Sequence, residues 1–205
     1  MSHKFFDLTF TPSVKKEQEH YGTRQNYARF ESGEPDFFGL TVDETEYISQ
    51  RDSFYLATVG ENGQPYVQFR GGLPGFLKVL DSETLAYADF GGNLQYISVG
   101  NLSVNDRAAL ILMDYPNRQR LKILARIEIK DAEDVPDMID QLKMINYKAK
   151  IERAAVIHVE AFDWNCPRHI TPRFTAEEIR IQNQPLYEQI GKLEAEIERL
   201  KSRKI

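Results

Sequence analysis

Three short stretches gather residue types able to hold an anionic or aromatic ligand. The first, Gln68-Phe69-Arg70-Gly71-Gly72-Leu73-Pro74-Gly75, sets an arginine beside paired glycines at the end of an alternating segment. The second, Ala88-Asp89-Phe90-Gly91-Gly92-Asn93-Leu94-Gln95-Tyr96, runs towards a segment of helical character. Glycine lets backbone N–H groups approach a ligand without interference from a Cβ. A helix beginning near Asn93 would turn its N–H groups and dipole towards a phosphate, and Arg70 would add a bidentate cation. The plainer reading is a pair of ordinary turns with solvated polar residues. The third stretch, residues 163–174, holds the only tryptophan, two prolines, two arginines and a histidine. Its prolines stiffen it, and Arg168, His169 and Arg173 favour anions, which reads as a binding loop. The alternative is a rigid connector whose arginines cap neighbouring carbonyls.

Other chemistries lack their residues. No GxGxxG follows a strand, no GxxxxGK[ST] occurs, and there is no GxSxG elbow, so a Rossmann site, a P-loop and a serine hydrolase are set aside. Cys166 and His169 have ligand-like spacing, but structural zinc wants four ligands. Only His3, His20 and His158 remain to complete a set. His158, inside an apolar run, reads as a packed core residue. No metal is expected.

The bulk composition narrows the class further. A net charge of −5 over 205 residues argues against a broad nucleic-acid-binding face, which normally carries a basic stripe. A single cysteine forbids an intrachain disulfide and suits a reducing compartment. The N-terminus has no apolar core of signal-peptide length. The longest apolar run, residues 108–113, is far short of the ~20 residues of a membrane helix. The expectation is a soluble cytoplasmic protein with no membrane association.

The elements that would position these stretches follow from periodicity. Thr11-Pro12 starts a helix that Gly22 stops, and Thr41 with Glu44 forms a capping box for a second helix over 41–51. The first forty residues read as an extension rather than core. From Ser53 the period becomes alternating. Residues 54–59 and 65–70 form a hairpin around Glu61-Asn62-Gly63-Gln64, with Pro65 at a strand start where a missing N–H is tolerated. A second pair spans 76–80 and 84–88, and a short helix is expected over 94–99. Residues 108–113 and 121–129 are strands joined at Tyr115-Pro116-Asn117; the latter sets Leu121, Ile123, Ala125, Ile127 and Ile129 on one face. A helix over 135–144 and a strand over 154–162 complete the set. Roughly seven strands in hairpin order argue for a mainly β protein, a closed or partly closed antiparallel barrel with helices at its ends. The expected organisation is an N-terminal helical extension over 1–52, the barrel over 53–174, and a C-terminal helix over 175–205.

That last helix opens on a capping box of Thr175 and Glu178, with Pro185 kinking or restarting it. Leu186, Ile190, Leu193, Ile197 and Leu200 recur in steps of four and three, the pattern of paired parallel helices. Only about two heptads are present, and so short a helix is marginal alone. It either packs on its own barrel or makes a dimer contact.

In order along the chain these segments resemble the pyridoxamine 5'-phosphate oxidase-like family of split-barrel flavoproteins. The resembling stretches are residues 54–59, 63–72 and 84–90, then Gly92-Asn93, 95–98 and Gly100-Asn101-Leu102. Asn105-Asp106-Arg107, Met113-Asp114-Tyr115-Pro116 and the loop 165–174 follow, so the likeness spans most of the chain. The resemblance implies a split antiparallel barrel that binds flavin mononucleotide (FMN) at the interface of a homodimer. It implies that Gln68, Phe69, Arg70 and Gly71 run along the isoalloxazine and ribityl chain. Asp89, Asn93 and Gln95 would fall in the phosphate loop, with Arg120 on the strand beyond, and His169 and Arg173 would come from the second subunit. The loop Gly92-Asn93-Leu94-Gln95 is less basic than the family pattern, and the residues that would hold pyridoxamine phosphate are not recognisable. The implied function is an FMN-dependent oxidoreductase acting on a small molecule of unknown identity. Two alternatives remain: a non-catalytic flavin-binding or sensing module, and a split barrel holding a deazaflavin or haem, with His158 or His169 as the axial ligand of the latter.

Overall fold

The computed structural model describes residues 3–28, 30–31, 38–164 and 166–202. Four helices come first, α1 (His3–Thr9), α2 (Pro12–His20), α3 (Arg24–Ala28) and α4 (Val42–Ser49). Strands β1 (Ser53–Val59), β2 (Pro65–Gly71), β3 (Lys78–Val79) and β4 (Thr84–Phe90) follow, then α5 (Ile97–Val104). The long strands β5 (Arg107–Asp114) and β6 (Gln119–Asp131) precede α6 (Pro136–Leu142), β7 (Ile151–Trp164) and α7 (Ala176–Ser202). The chain forms two compact units: Met1–Asp114 with Gln119–Pro167, and Tyr115–Arg118 with Arg168–Ile205.

The strands make one seven-stranded sheet in the order β2-β1-β5-β6-β7-β4-β3, and each pairing is antiparallel. Alternation decides which face is inside. On β6, Leu121, Ile123, Ala125 and Ile127 are buried while the residues between them are not. The sheet curls strongly on itself. Phe54 on β1 and Tyr87 on β4 lie four strand spacings apart, ~19 Å on a flat sheet, yet their ring centroids are 5.4 Å apart. Both belong to one continuous core with Leu56, Leu112, Ile123 and Ile157. The fold is mainly β, a split antiparallel barrel with helices at both ends of the chain.

Two bulges help the strands bend. Between β4 and β7, Asp89 faces Arg153 but Phe90 faces Ile151, so Glu152 is the extra residue. Between β6 and β7, Leu124 faces Ala161 and Ala125 faces Val159, leaving Glu160 as the extra one.

Several sequence expectations need correction. The N-terminal segment is not wholly outside the core: α1 buries Phe5 and Phe6 against Ala161 of β7. The helix expected over 94–99 begins at Ile97, because Leu94 and Tyr96 adopt left-handed backbone angles, φ 59° and 52°. The last strand starts at Ile151 rather than near Ala154. His158 is exposed rather than packed; it faces Thr84 and Arg126 in the sheet register.

The capping boxes form as expected. Glu44 accepts from the backbone N–H of Thr41 at 3.0 Å, and Glu178 accepts from that of Thr175 at 2.7 Å. No helix among the described residues is long and apolar enough to cross a membrane.

Candidate functional site

Closing the sheet brings its second-last strand, β4, against the edge strand β2, and the chemistry collects along that seam. Every second residue of β2 turns inward: Tyr66, Gln68 and Arg70 line a cavity of ≈ 270 Å³, while Val67 and Phe69 between them are exposed. Asp89 meets Arg70 from β4. Their Oδ1 and Nη1 atoms lie 2.8 Å apart, although β2 and β4 are five strand spacings apart through the sheet. This ion pair is a bridge across the open side of the barrel.

A second arginine binds the same carboxylate. Arg153 Nε donates to Asp89 Oδ2 at 2.9 Å, its Nη2 lies 2.8 Å from the same oxygen, and Nη2 donates to Glu152 Oε2 at 2.9 Å. The bulge explains how adjacent residues of one strand both line the cavity: the extra residue breaks the in–out alternation. Asp89 is 2% exposed, and a buried carboxylate needs such charged partners to be tolerated. Burial alone would lower the Arg153 guanidinium, but its bonds to Asp89 and Glu152 outweigh this and raise it. Arg153 therefore stays charged. Its guanidinium also stands 5.0 Å from the centre of the Tyr96 ring.

The loop 92–96 and the start of α5 form another wall. Asn93 Oδ1 accepts from the Gln95 N–H at 3.3 Å. Ser98 Oγ donates to Gln68 Oε1 at 2.8 Å and Asn101 Nδ2 donates to Thr58 Oγ1 at 3.0 Å, which fastens α5 to β2 and β1. Tyr96 occupies the N-cap of α5 and offers no side-chain cap, leaving first-turn N–H groups that such a cap would engage.

Two polar atoms at the seam, Arg70 Nε and Tyr87 Oη, are buried without a hydrogen bond of ordinary geometry, although the Arg70 guanidinium is near enough to the Tyr87 hydroxyl to act on it. Burial pushes the Tyr87 hydroxyl up to about 12, so it remains a neutral donor. Buried donors without acceptors are rare in folded proteins and call for an explanation. Together, the guanidinium groups, amides, hydroxyls and uncapped helix start can bind an anionic, hydroxylated ligand.

Of the residues singled out by sequence, Gln68, Arg70, Asp89, Asn93 and Gln95 line this cavity. Phe69 points to the other face of β2, where its ring meets Tyr55 edge-on at 5.8 Å. Gly71 ends β2 under that ring; a Cβ there would lie 2.8 Å from it. Arg120 is not part of the cavity wall; its Nη2 donates to the Cys166 carbonyl at 3.4 Å. His169 and Arg173 belong to the second unit, where Arg173 stacks 4.8 Å over the Tyr115 ring. Sequence reasoning missed Tyr66, Ser98, Glu152 and Arg153. One signal pointed to Arg153: Asp89 sits inside an apolar strand, and a carboxylate so placed needs cations from its neighbours.

Among solved structures the chain is similar to a putative pyridoxamine 5'-phosphate oxidase from Lactobacillus delbrueckii, at 20% identity and TM-score 0.49, covering 62% of this chain and 96% of that one. It is similar to HupZ of Group A Streptococcus at 16% identity and TM-score 0.47, covering 66% and 99%. An FMN-binding protein from Syntrophomonas wolfei is similar at 16% identity and TM-score 0.44, covering 75% and 95%. No curated protein matches the chain. Residues 41–181 match the family model described as pyridoxamine 5'-phosphate oxidase. Because that match spans more than half of the chain, the protein belongs to the pyridoxamine 5'-phosphate oxidase family.

Proposed function

We propose that the protein is an FMN-binding flavoprotein, a cytoplasmic homodimer that carries out oxidoreduction on a small molecule. The observation that carries this reading is the Arg70–Asp89–Arg153 cluster lining a cavity beside the uncapped start of α5. These groups suit the phosphate and ribityl hydroxyls of the cofactor. Arg70, Arg153, Asn93 and Gln95 would hold the tail, and Gln68, positioned by Ser98, would meet its hydroxyls. Asp89 would keep both guanidinium groups in place rather than touch the phosphate.

At ≈ 270 Å³ the cavity lies below the ~300–1,000 Å³ usual for a whole ligand. One chain thus offers room for the polar tail, and the ring needs a second surface. A second copy would supply that surface, with His169 and Arg173 contributed by it; Tyr55, Val67 and Phe69, exposed on the opposite face of β2, would meet that copy away from the tail. Arg120, held against Cys166, stays outside the phosphate site. Bound flavin would supply the electron-transfer chemistry, and the protein would bind, orient and desolvate it.

The test is to mix the purified protein with FMN, pass it through gel filtration, and record the visible spectrum of the protein peak. Flavin absorbance co-eluting with a dimer supports the reading; a colourless peak contradicts it. Oxidation of a reduced nicotinamide by the loaded protein would favour an oxidoreductase over a non-catalytic flavin module.

A further inference from the structure

We propose that α7 pairs with α7 of a second copy as a parallel, in-register two-stranded coiled coil. The helix runs for 27 residues, and no residue described in it is buried within the chain. Its apolar side chains nevertheless form a stripe. Ile179, Leu186, Ile190, Leu193, Ile197 and Leu200 are each between 46% and 57% exposed. In heptad terms Ile179, Leu186, Leu193 and Leu200 occupy one seam position, d, and Asn183, Ile190 and Ile197 the other, a.

The residue types at those positions choose the occupant. β-Branched residues at a with leucine at d favour two parallel strands, and a single asparagine at an a position fixes register, because it is satisfied only opposite another asparagine. Asn183 is that residue. Charge agrees: Glu196 and Lys201 occupy flanking g and e positions, so parallel pairing sets each glutamate against a lysine of the other helix. Within one chain these groups make only exposed pairs, Glu196 with Arg199 and Lys201 with Glu198, which rearrange at little cost. Pro185 and Gly191, the two residues that weaken a helix most, fall at c and b, away from the seam. A helix carrying both gains stability from a partner, and the Thr175–Glu178 capping box fixes its start.

This proposal does not depend on the flavin reading. Its test uses the full-length chain with Cys166→Ser and either Leu200→Cys or Glu198→Cys, oxidised by oxidised glutathione and analysed under denaturing conditions. Parallel pairing places the two copies of position 200 side by side, whereas antiparallel pairing separates them by about 30 Å at 1.5 Å per residue. The expected result is conversion of most Leu200→Cys chains to a disulfide-linked dimer, with Glu198→Cys, on the outer face, remaining monomeric on the gel. Equal linkage of the two variants, or none in either, overturns the proposal. Because FMN retention is read separately from the visible spectrum, cross-linking without flavin defeats only the flavin reading. Flavin without cross-linking defeats only the coiled coil.

Discussion

Two buried polar clusters lie near the two ends of β7, and they are finished differently. Around Trp164 the groups of Glu44, Tyr47 and Arg51 find partners, while Arg120 Nε on the adjoining β6, outside the cavity wall, is buried without one. Glu44 accepts from the Thr41 N–H and hydroxyl and from Trp164 Nε1, Tyr47 Oη donates to the Leu112 carbonyl, and Arg51 pairs with Asp114 at 3.0 Å. Around Arg153 the same kinds of residue leave capacity over: Arg70 Nε and Tyr87 Oη make no hydrogen bond of ordinary geometry, the cluster lines a cavity, and the adjoining loop holds Leu94 and Tyr96 in left-handed conformations. A saturated cluster is scaffolding, since any further ligand would have to displace an existing bond. An unsaturated one beside a cavity is where a ligand gains most, because its acceptors meet donors already stripped of water.

The largest effect is expected from Asp89→Ala, which leaves two guanidinium groups facing each other across the seam. Losing one member of a buried ionic cluster costs about 3–5 kcal/mol, read as a lower urea midpoint, and FMN retention should fall with it. Glu44→Ala should cost about 1–3 kcal/mol by stranding the Trp164 N–H while leaving FMN affinity unchanged in the folded protein. A loss of affinity matching that of seam variants would erase the distinction between the clusters. Arg153→Gln removes another member of the seam cluster and should lower the urea midpoint too, but unlike Glu44→Ala it should also weaken FMN binding by the folded protein, by roughly tenfold or more, the scale of one charged hydrogen bond, measured by flavin fluorescence titration.

The smallest effect concerns acid. Burial would raise the Glu44 carboxyl, but hydrogen bonds from Thr41 and Trp164 outweigh it and hold it below its ordinary 4.5. A group lowered on folding contributes fully above its unfolded value and loses that contribution as pH falls through the folded one. Glu44→Gln should therefore differ most from the parent at neutral pH. The stability difference should shrink as pH drops below about 4.5; a gap that widens there contradicts the assignment.

Much of this was legible in the residues themselves. The alternation over 121–129, the Thr41–Glu44 and Thr175–Glu178 boxes and the hairpin at Asn62-Gly63 are local signals, and all four describe real elements. The site was half legible. Glycines and Arg70 pointed to the β2 and β4 ends, but Arg153 reaches Asp89 only through β4–β7 register, which no local pattern encodes. Glu152 joins it because of a bulge, and the burial of Phe5 and Phe6 depends on where Ala161 falls in the finished sheet. His158 misled because the run around it is apolar on both faces of β7, so its neighbours say nothing about which way it points.

A seam between β2, β4 and β7 built for a phosphate should tell a phosphorylated flavin from an unphosphorylated one. Flavin fluorescence titration with FMN and with riboflavin, which lacks the phosphate, tests it most directly. FMN should bind roughly tenfold or more tightly than riboflavin, and Arg153→Gln should narrow the gap. Equal binding of the two flavins by the parent protein, or binding of neither, would contradict it.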